Sequence, residues 1–490
     1  MTIFIDRHPY RYEMERVSQM FFPGDKIQVK EGVPDQQEYI YTGMNQNKIQ
    51  VAVCISGSLF TREEEISPQD EKNEIERKMA VAVYKLLSPI TKIKPKWGIL
   101  TGIRPVKLLA ARRMAGQKPQ EIEKHFKETC LVSGEKFALA QRTACLEEKI
   151  LSRNTPDSFS LYVSIPFCPT RCAYCSFVSH AIEKTQILIP EYVELLCREL
   201  EYTGKIARKL GLSLRTIYFG GGTPTALSAE QLKRICGAIR ENFSFENLWE
   251  YTIEAGRPDT ITREKLLAMK EAGVGRISIN PQTLNDRVLE IIGRRHTTAQ
   301  TLDAFYLARQ CGFDNINMDL IAGLPGDTLE SFQNTIDGVL SLLPENITVH
   351  TLTVKRSASL SYNQELVERT GEVEKMVDYS QSKIMNSGYE PYYLYRQKGT
   401  IGNLENVGYC RPGKEGVYNV YIMDETHSIF AVGAGAVTKL REPAGEDIQR
   451  IANYKFPYEY LGQFDEMLAR KDKILEFYDR KGKHLASGKE

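Results

Sequence analysis

The stretch Ser164–Phe177 reads SIPFCPTRCAYCSF and places Cys168, Cys172 and Cys175 in the spacing C-x3-C-x2-C. Three thiols are one too few for a closed structural zinc site or for a ferredoxin-type iron–sulfur site. A cubane cluster held by three thiolates keeps one iron open for a further ligand. The alternatives are a zinc knuckle, with His180 as the nearby imidazole, or three incidental buried thiols. Zinc motifs typically supply two ligand pairs, and no second pair follows here, so the spacing favours the open cluster.

The composition excludes several broad classes of protein. The chain has 490 residues, 42% of them hydrophobic, with a net charge of +1, so it can build more than one domain but offers no basic field for general nucleic-acid binding. No run approaches the roughly 18 apolar residues of a membrane span, and the N-terminus MTIFIDRHPYRYEMERV has no signal-peptide pattern. We therefore expect a cytoplasmic protein without a membrane span or a nucleic-acid partner. The seven other cysteines stand singly, which indicates reduced thiols.

Strands and helices alternate regularly beyond the cysteine triplet. Strands alternating with helices are typical of βαβ units and a parallel sheet, and six units predict a partial barrel rather than a complete eight-unit one. The predicted strands are 161–165, 215–219, 251–255, 276–280, 315–321 and 347–354. The predicted helices between them are 191–210, 229–242, 263–272, 298–311 and 329–342.

Polar signals lie at or just after the end of each of these strands. Because the carboxyl ends of parallel strands meet at one edge of the sheet, we expect these side chains to converge on one site. In chain order they are the cysteine triplet, the turn GGGTPT (220–225), Glu254, Asn280 with Gln282, Asp319, and Lys355 with Arg356.

We divide the chain into three parts. Residues 1–153 form an α+β extension, with strands at 39–41 and 50–56, a helix at 70–87, and a basic helix after Pro95. The basic cluster in that helix has two interpretations, an anion site or a solvated helix face, and we favour the solvated face. Residues 154–390 form the barrel, after a polar linker at 152–158. Residues 391–490 form a C-terminal elaboration with one or two strands in 420–440 and a charged helical tail.

With Tyr174 before its last cysteine, the triplet resembles the radical S-adenosylmethionine (radical SAM) superfamily. The resemblance implies a [4Fe-4S] cluster whose open iron binds SAM, which is cleaved to methionine and a 5′-deoxyadenosyl radical. Further motifs resemble the oxygen-independent coproporphyrinogen III dehydrogenase group, which includes a dehydrogenase, a haem chaperone and a longer branch called HemZ. They are YVSIPFC (162–168), GGGTPT (220–225), QTLND (282–286), IGR (292–294) and DLIAGLPG (319–326). The length and the N-terminal extension fit the HemZ branch best, and the resemblance implies a partial (β/α)6 radical SAM barrel.

The resemblance also implies a role for individual residues. Cys168, Cys172 and Cys175 would ligate the cluster. The implied SAM contacts divide by the part of SAM they meet: Tyr162 at the sulfonium, Tyr174 at the adenine, the backbone of Gly221, Gly222 and Thr223 at the methionine end, Glu254 and Asp319 at amino or ribose groups, Gln282 at the ribose, and Arg294 at the methionine carboxylate.

The function that the resemblance implies is oxidative decarboxylation of two propionates of coproporphyrinogen III to vinyl groups, with an external electron donor such as flavodoxin or ferredoxin. Two residues depart from the dehydrogenase pattern, since Ser164 replaces a His and Phe177 replaces an extra Cys. The stretch at 418–423, YNVYIM, lacks the His and the Trp of the chaperone motif H-N-x-x-Y-W. A haem chaperone and a radical enzyme acting on another tetrapyrrole are the alternatives. The candidates for binding substrate carboxylates are Arg356, Arg396, Lys398 and Arg411.

Overall fold

The computed structural model describes residues 1–45, 47–102, 104–177, 179–353, 368–397, 400–443 and 445–481. The chain forms two compact units. The first consists of Met1–Ala144, Tyr362–Glu374 and Leu394–Glu405. The second consists of Cys145–Ser361, Lys375–Tyr393 and Asn406–Glu490. Two late segments thus belong with the N-terminal extension, which a linear division at 153 and 390 does not anticipate.

The first unit is built on a five-stranded sheet with the order β2-β1-β3-β4-β5. Its strands are β1 (Thr2–Asp6), β2 (Gln28–Glu31), β3 (Tyr39–Met44), β4 (Lys48–Ile55) and β5 (Ser58–Glu65). Its helices are α1 (Arg11–Gln19), α2 (Lys72–Thr91), α3 (Pro105–Met114) and α4 (Pro119–Lys124), and α5 (Gly134–Leu151) follows along the chain. The predicted strands and helices of residues 1–114 are confirmed, including the basic helix, which is α3.

The second sheet has eleven strands in the order β14-β15-β13-β12-β11-β10-β9-β6-β16-β17-β18. Its members are β6 (Ser158–Ile165), β9 (Ser213–Gly221), β10 (Glu250–Glu254), β11 (Arg276–Ser278), β12 (Ile316–Ala322), β13 (Asn346–Thr351), β14 (Glu390–Arg396), β15 (Glu405–Cys410), β16 (Ser428–Val432), β17 (Val437–Arg441) and β18 (Ile448–Ala452). Two short strands, β7 (Phe167–Cys168) and β8 (His180–Ala181), pair with each other.

Helices connect the strands of this sheet and follow it to the end of the chain. They are α6 (Ile182–Thr185), α7 (Ile189–Lys209), α8 (Ala229–Asn242), α9 (Arg263–Glu271), α10 (Asp286–Ile291), α11 (Thr298–Gln310), α12 (Leu329–Ser341), α13 (Thr370–Asn386), α14 (Val417–Asp424), α15 (Pro457–Gly462), α16 (Phe464–Ala469) and α17 (Asp472–Lys481). Local sequence sets their starts. At α8, for example, the Ser228 side chain accepts the Gln231 backbone N–H while the Gln231 side chain reaches back, a capping box.

The central strands β6, β9, β10, β11, β12 and β13 are adjacent in chain order and pair in parallel. This is the predicted six-unit half barrel, with the carboxyl ends of all six strands at one edge. Several bounds differ from the prediction: β6 and β9 begin earlier, β11 ends at Ser278 and β13 ends at Thr351. Strand β12 runs to Ala322, so Asp319 lies within it. Lys355 and Arg356 lie outside the described residues.

The C-terminal part extends the sheet at both of its edges. Strand β15 joins β13 in antiparallel orientation, and β16 joins β6 in parallel. The prediction of one or two strands in 420–440 is confirmed by β16 and β17, but the first residues of that stretch belong to α14, which spans Val417–Asp424. The Glu250 carboxylate accepts the backbone N–H groups of Val417 at 2.5 Å and Tyr418 at 3.4 Å, and this capping of the helix start outweighs the strand preference of the β-branched residues.

Across the described ranges, no helix is both long enough and apolar enough to cross a membrane.

Candidate functional site

The three cysteines lie on the loop that follows β6. Cys168 ends the short strand β7, and the loop beyond it is fixed to the segment after α10. The Ala173 N–H donates to the Ile292 carbonyl at 3.0 Å, and the Thr170 hydroxyl donates to the Gly293 carbonyl at 3.1 Å. Two of the predicted motifs, the triplet and IGR, are therefore brought together by backbone contacts.

Polar side chains surround the cysteine sulfurs: Ser179 and Thr223 bond to Cys168, and Arg257 and Arg294 bond to Cys172. The Thr223 hydroxyl donates to Cys168 Sγ at 3.4 Å, and Arg257 Nη1 donates to Cys172 Sγ at 3.9 Å. Burial raises the pKa of Cys168 and of Cys175, so both thiols stay protonated without a metal. Hydrogen bonds and a nearby cation are groups that offset the charge of sulfurs bound to iron.

The donor set fits a cluster with one open iron. Among the described residues, no three Cys, His, Asp or Glu side chains surround a single metal ion. A cubane cluster does not need such an arrangement, because each of its thiolates binds a different iron. Three cysteines on one loop supply one thiolate ligand to each of three irons and leave the fourth iron for another ligand. Two of these cysteines are contacted by hydrogen-bond donors. Cys168, Cys172 and Cys175 are the residues that would hold the cluster.

The Gly-rich turn after β9 packs against the chain leading into the cysteine loop. The N–H groups of Gly222 and Thr223 donate to the carbonyls of Ile165 and Phe167, both at 2.7 Å. A Cβ on Gly222 would lie 2.6 Å from the Phe167 carbonyl oxygen, which explains the glycine. Gly221 has a φ of 100°, which a side chain would strain. These amides are used within the protein, so contact of this turn with SAM through its backbone stays a prediction.

Arg294 and Tyr174 form a buried pair beside the cysteine loop. Arg294 Nη2 donates to the Tyr174 hydroxyl at 3.1 Å, and its Nη1 donates to the Asn280 carbonyl at 2.5 Å. Its Nε is buried and has no partner among the described residues. A buried guanidinium N–H without a partner is costly, which makes Arg294 suited to a bound carboxylate.

Gln282 is held in an unusual conformation between β11 and β12. Its φ is 69°, and its backbone N–H and carbonyl bond to the Asp319 carbonyl and the Ile321 N–H. Its side-chain oxygen is buried without a partner within the part of the chain that the structure describes. Strain together with an unpaired buried acceptor is typical of a ligand-binding position, and a ribose hydroxyl would satisfy it.

Two carboxylates lie in the interior of the half barrel. Glu254 accepts a hydrogen bond from the Tyr218 hydroxyl at 2.6 Å, and burial, with the charge of Asp319, raises its pKa to about 7. Burial would also raise the pKa of Asp319. Hydrogen bonds with His350 and Asn317 and the charge of His350 outweigh burial, so the pKa of Asp319 lies below its usual value. The interior therefore holds one carboxylate that titrates near neutrality and one that stays ionised.

Three stacked tyrosines lie next to Glu254, and one of them, Tyr218, donates to it. The Tyr218 and Tyr418 ring centroids are 4.4 Å apart and nearly parallel, and Tyr162 stacks on both at 6.2 to 6.4 Å. Burial raises the pKa of each hydroxyl. Tyr162, expected at the sulfonium of SAM, thus belongs to an aromatic cluster that the sequence did not reveal.

Two of the arginines that we predicted to bind substrate carboxylates have other surroundings in the structure. Arg396 is buried in the first unit, where it donates to the carbonyls of Leu100 and Asn403. Arg411 follows β15, whose Cys410 pairs with the first residue of β13, so Arg411 lies at the amino ends of the parallel strands and not at the site. Antiparallel pairing of β15 is the reason. Lys398 and Arg356 lie outside the described residues.

The two departures from the dehydrogenase pattern have different settings. The Ser164 hydroxyl is buried and donates to the Ala434 carbonyl at 2.8 Å, so it joins the ends of β6 and β16. Phe177 is exposed, with 65% of its surface accessible. Three residues that contact the site were not predicted from the sequence: Arg257, Tyr218 and His350. Only the last two stand on predicted strands, where alternation could have indicated them.

The fold and the site define a radical SAM protein. The model of the radical SAM superfamily matches residues 162–339. The solved structure of the coproporphyrinogen III oxidase HemN from Escherichia coli, itself a radical SAM enzyme, superposes with a TM-score of 0.50 at 23% identity, covering 66% of this chain and 73% of that chain. Members of this superfamily use a [4Fe-4S] cluster and SAM, which confirms the predicted cofactors.

Similarity to individual proteins narrows the family to which the chain belongs. The chain is 38% identical over 417 residues to the oxygen-independent coproporphyrinogen-III oxidase-like protein HemZ of Bacillus subtilis, covering 84% of this chain and 83% of the relative. It is 35% identical over 306 residues to the heme chaperone HemW of the same organism, covering 61% of this chain and 77% of the relative. The chain therefore belongs to the HemN/HemZ/HemW-like family of radical SAM proteins, as the motifs indicated.

Proposed function

We propose that this chain is a radical SAM enzyme that oxidatively decarboxylates propionate groups of coproporphyrinogen III in the absence of oxygen. Bound together, the cluster and SAM supply hydrogen abstraction from the β-carbon of a propionate, after which loss of carbon dioxide and one electron leaves a vinyl group. The chain needs an external one-electron donor such as flavodoxin or ferredoxin, and an acceptor for the electron released with carbon dioxide.

The observation that carries the proposal is the position of Tyr418. In the chaperone motif a histidine and a tryptophan serve haem binding, and here Tyr418 and Met423 replace them. Tyr418 is 3% exposed and its ring stacks on Tyr218, whose hydroxyl bonds to Glu254. A buried tyrosine with a raised pKa is a poor haem ligand, whereas as part of the stack it closes the interior beneath the carboxylates.

The residues around the interior have complementary tasks in this reaction. Arg294, with its unpaired buried Nε, would bind the methionine carboxylate of SAM, and Gln282 would bind the ribose. Glu254 and Asp319 would bind its amino and hydroxyl groups. The tyrosine stack excludes water from the interior, which protects a reactive radical from side reactions.

A haem chaperone is the second candidate, because HemW of Bacillus subtilis is a relative at 35% identity. Such a chaperone would keep the cluster and bind haem without converting a substrate. Its haem would need an axial ligand other than the residue at 418, since that position has no imidazole.

The experiment compares 5′-deoxyadenosine formation by anaerobically reconstituted, reduced protein with and without coproporphyrinogen III. We expect the substrate to accelerate formation at least severalfold, and we expect Cys172→Ala to abolish it. Cys236→Ala is the matched control, since Cys236 lies on α8, where its buried thiol accepts a hydrogen bond from Tyr251 and is not part of the cysteine loop. No acceleration, together with tight binding of haem in a titration, would favour the chaperone and contradict the proposal.

A further inference from the structure

Arg257 is a buried cation that none of the recognised motifs includes. It lies on the loop after β10, in the sequence EAGRPDT (254–260), and only 3% of its surface is exposed. Its Nη1 donates to the Thr170 hydroxyl at 3.0 Å and to Cys172 Sγ at 3.9 Å. One nitrogen of the guanidinium is thus directed at the middle cysteine of the triplet and at the loop that carries it.

Asp259 fixes the orientation of this guanidinium. Arg257 Nε and Nη2 donate to the two oxygens of Asp259, each at 3.0 Å. A bidentate pair of this kind fixes the plane of the guanidinium and leaves Nη1 for another acceptor. Burial lowers the pKa of the neighbouring His296 to about 3, so its ring is neutral at physiological pH and does not compete with Arg257 for Asp259.

The loop that carries the pair is itself anchored to the Gly-rich turn region. The Thr260 hydroxyl donates to the Arg257 carbonyl at 2.7 Å and lies 2.6 Å from the Thr225 hydroxyl. Lys265 Nζ donates to the carbonyls of Thr225 at 2.7 Å and Thr260 at 3.0 Å. These hydrogen bonds between the loops after β9 and β10 therefore fix the backbone that carries Arg257.

A purely structural ion pair would not need this geometry. Asp259 alone satisfies two of the guanidinium nitrogens, and a buried pair is costly unless its remaining protons are also bonded. Here the remaining contacts are made to the cysteine loop. An N–H donor and a positive charge at a cluster sulfur stabilise the reduced form of a cluster, which carries one more negative charge.

We infer that Arg257, oriented by Asp259, is a positioning residue that fixes the cysteine loop at Cys172 and raises the reduction potential of the cluster. The role concerns the ease with which the donor's electron enters the cluster. It depends on the cluster and not on which tetrapyrrole reacts, so it can fail while the proposed function holds, and the reverse.

The test is a spectroelectrochemical titration of the reconstituted protein, with iron per chain measured in the same samples. For Arg257→Gln we expect about a tenfold lower ratio of reduced to oxidised cluster at the wild-type midpoint, a shift of about 59 mV toward more negative potential. Arg257→Lys, which keeps the charge but loses the planar fork, should shift the potential in the same direction by less. Arg234→Gln is the matched control, because Arg234 pairs with Glu194 on the exposed helix surface, and its potential should equal that of the wild type.

Asp259→Asn separates orientation from simple charge. If Asp259 acted only through its negative charge, its removal would raise the potential. If Asp259 orients Arg257, its removal should lower the potential, and this is the result we expect. An unchanged potential in Arg257→Gln and Arg257→Lys at full iron content, or a raised potential in Asp259→Asn, would overturn the inference.

Discussion

The Tyr218 hydroxyl donates a hydrogen bond of 2.6 Å to the carboxylate of Glu254 inside the half barrel. Burial and the charge of Asp319 raise the pKa of Glu254 to about 7, although this hydrogen bond opposes the rise. The carboxylate that we propose as a SAM contact therefore titrates near neutral pH.

This pKa predicts a pH-dependent affinity for SAM. As the pH falls through 7, Glu254 becomes protonated and loses its attraction for a cationic amino group, so the Kd of wild-type protein should rise up to about tenfold per pH unit. Glu254→Gln should bind SAM more weakly at high pH and lack this pH dependence. Equilibrium binding to cluster-loaded protein measures it. Glu264→Gln, on the exposed start of α9, is the control and should match the wild type. A Kd of Glu254→Gln that follows the wild-type curve would contradict the assignment.

The same shift predicts an effect on stability. The folded pKa of Glu254 lies above its ordinary value of 4.5, so the folded state binds more protons than the unfolded state between these values. The contribution of Glu254 to stability is thus complete below about pH 4.5 and is lost as the pH rises through 7. Glu254→Gln, which cannot ionise, should raise Tm relative to wild type above pH 7 and change it little at pH 5. A variant with a lower Tm above pH 7 would show that the ionised carboxylate is satisfied.

Gly222 predicts a structural requirement for cluster assembly. In Gly222→Ala, the new methyl group would meet backbone atoms of Ile165 and Phe167 at 2.6 to 2.9 Å and push the chain leading to Cys168. We expect a severalfold loss of iron per chain after reconstitution. Gly237→Ala is the control, because a Cβ there meets nothing within 4 Å in helix α8. Equal iron contents in the two variants would mean that the turn does not position the cysteine loop.

A buried ion pair in the first unit predicts a large effect on folding. Lys136 Nζ lies 2.6 Å from Glu405, both side chains are 0% exposed, and Trp97 Nε1 donates to the same carboxylate at 2.8 Å. Removing one partner leaves a buried charge, so Lys136→Met should lower the free energy of unfolding of this unit by about 3–5 kcal/mol. Lys136→Met with Glu405→Leu should recover most of this loss. Denaturation followed by the fluorescence of Trp97 in a Trp249→Phe background measures both, and a single variant as stable as the double variant would contradict the expectation.

The regular part of the fold could be predicted because local sequence determines it. Alternating strands and amphipathic helices gave the six parallel strands, and the convergence of their carboxyl ends brought Glu254, Gln282 and Asp319 together. Helix α14 could not be predicted, since its start is capped by Glu250, which is distant in sequence. The position of Arg411 was predicted wrongly because the direction of β15 depends on its pairing partner and not on its own residues.

The cysteine site likewise has one part that local sequence predicts and another that depends on the fold. Its spacing predicted a cluster with one open iron, because three thiolates on one loop limit the coordination chemistry, and the resemblance of the motifs implied SAM. The contact of Cys172 with Arg257 spans 85 positions and arises only when the loops after β6 and β10 meet at one edge of the sheet. The stacking of Tyr418 on Tyr218 likewise joins a C-terminal helix to a central strand. Such long-range pairs carry no local pattern, so they became visible only in the fold.

The most direct measurement of the central claim is mass spectrometry of the tetrapyrrole after anaerobic incubation of the reduced holoprotein with SAM, coproporphyrinogen III and an electron acceptor. We predict a product in which propionates have become vinyl groups, with one 5′-deoxyadenosine formed per vinyl group and no product from Cys172→Ala. Recovery of unchanged coproporphyrinogen III from protein with a full cluster that still cleaves SAM would contradict the claim.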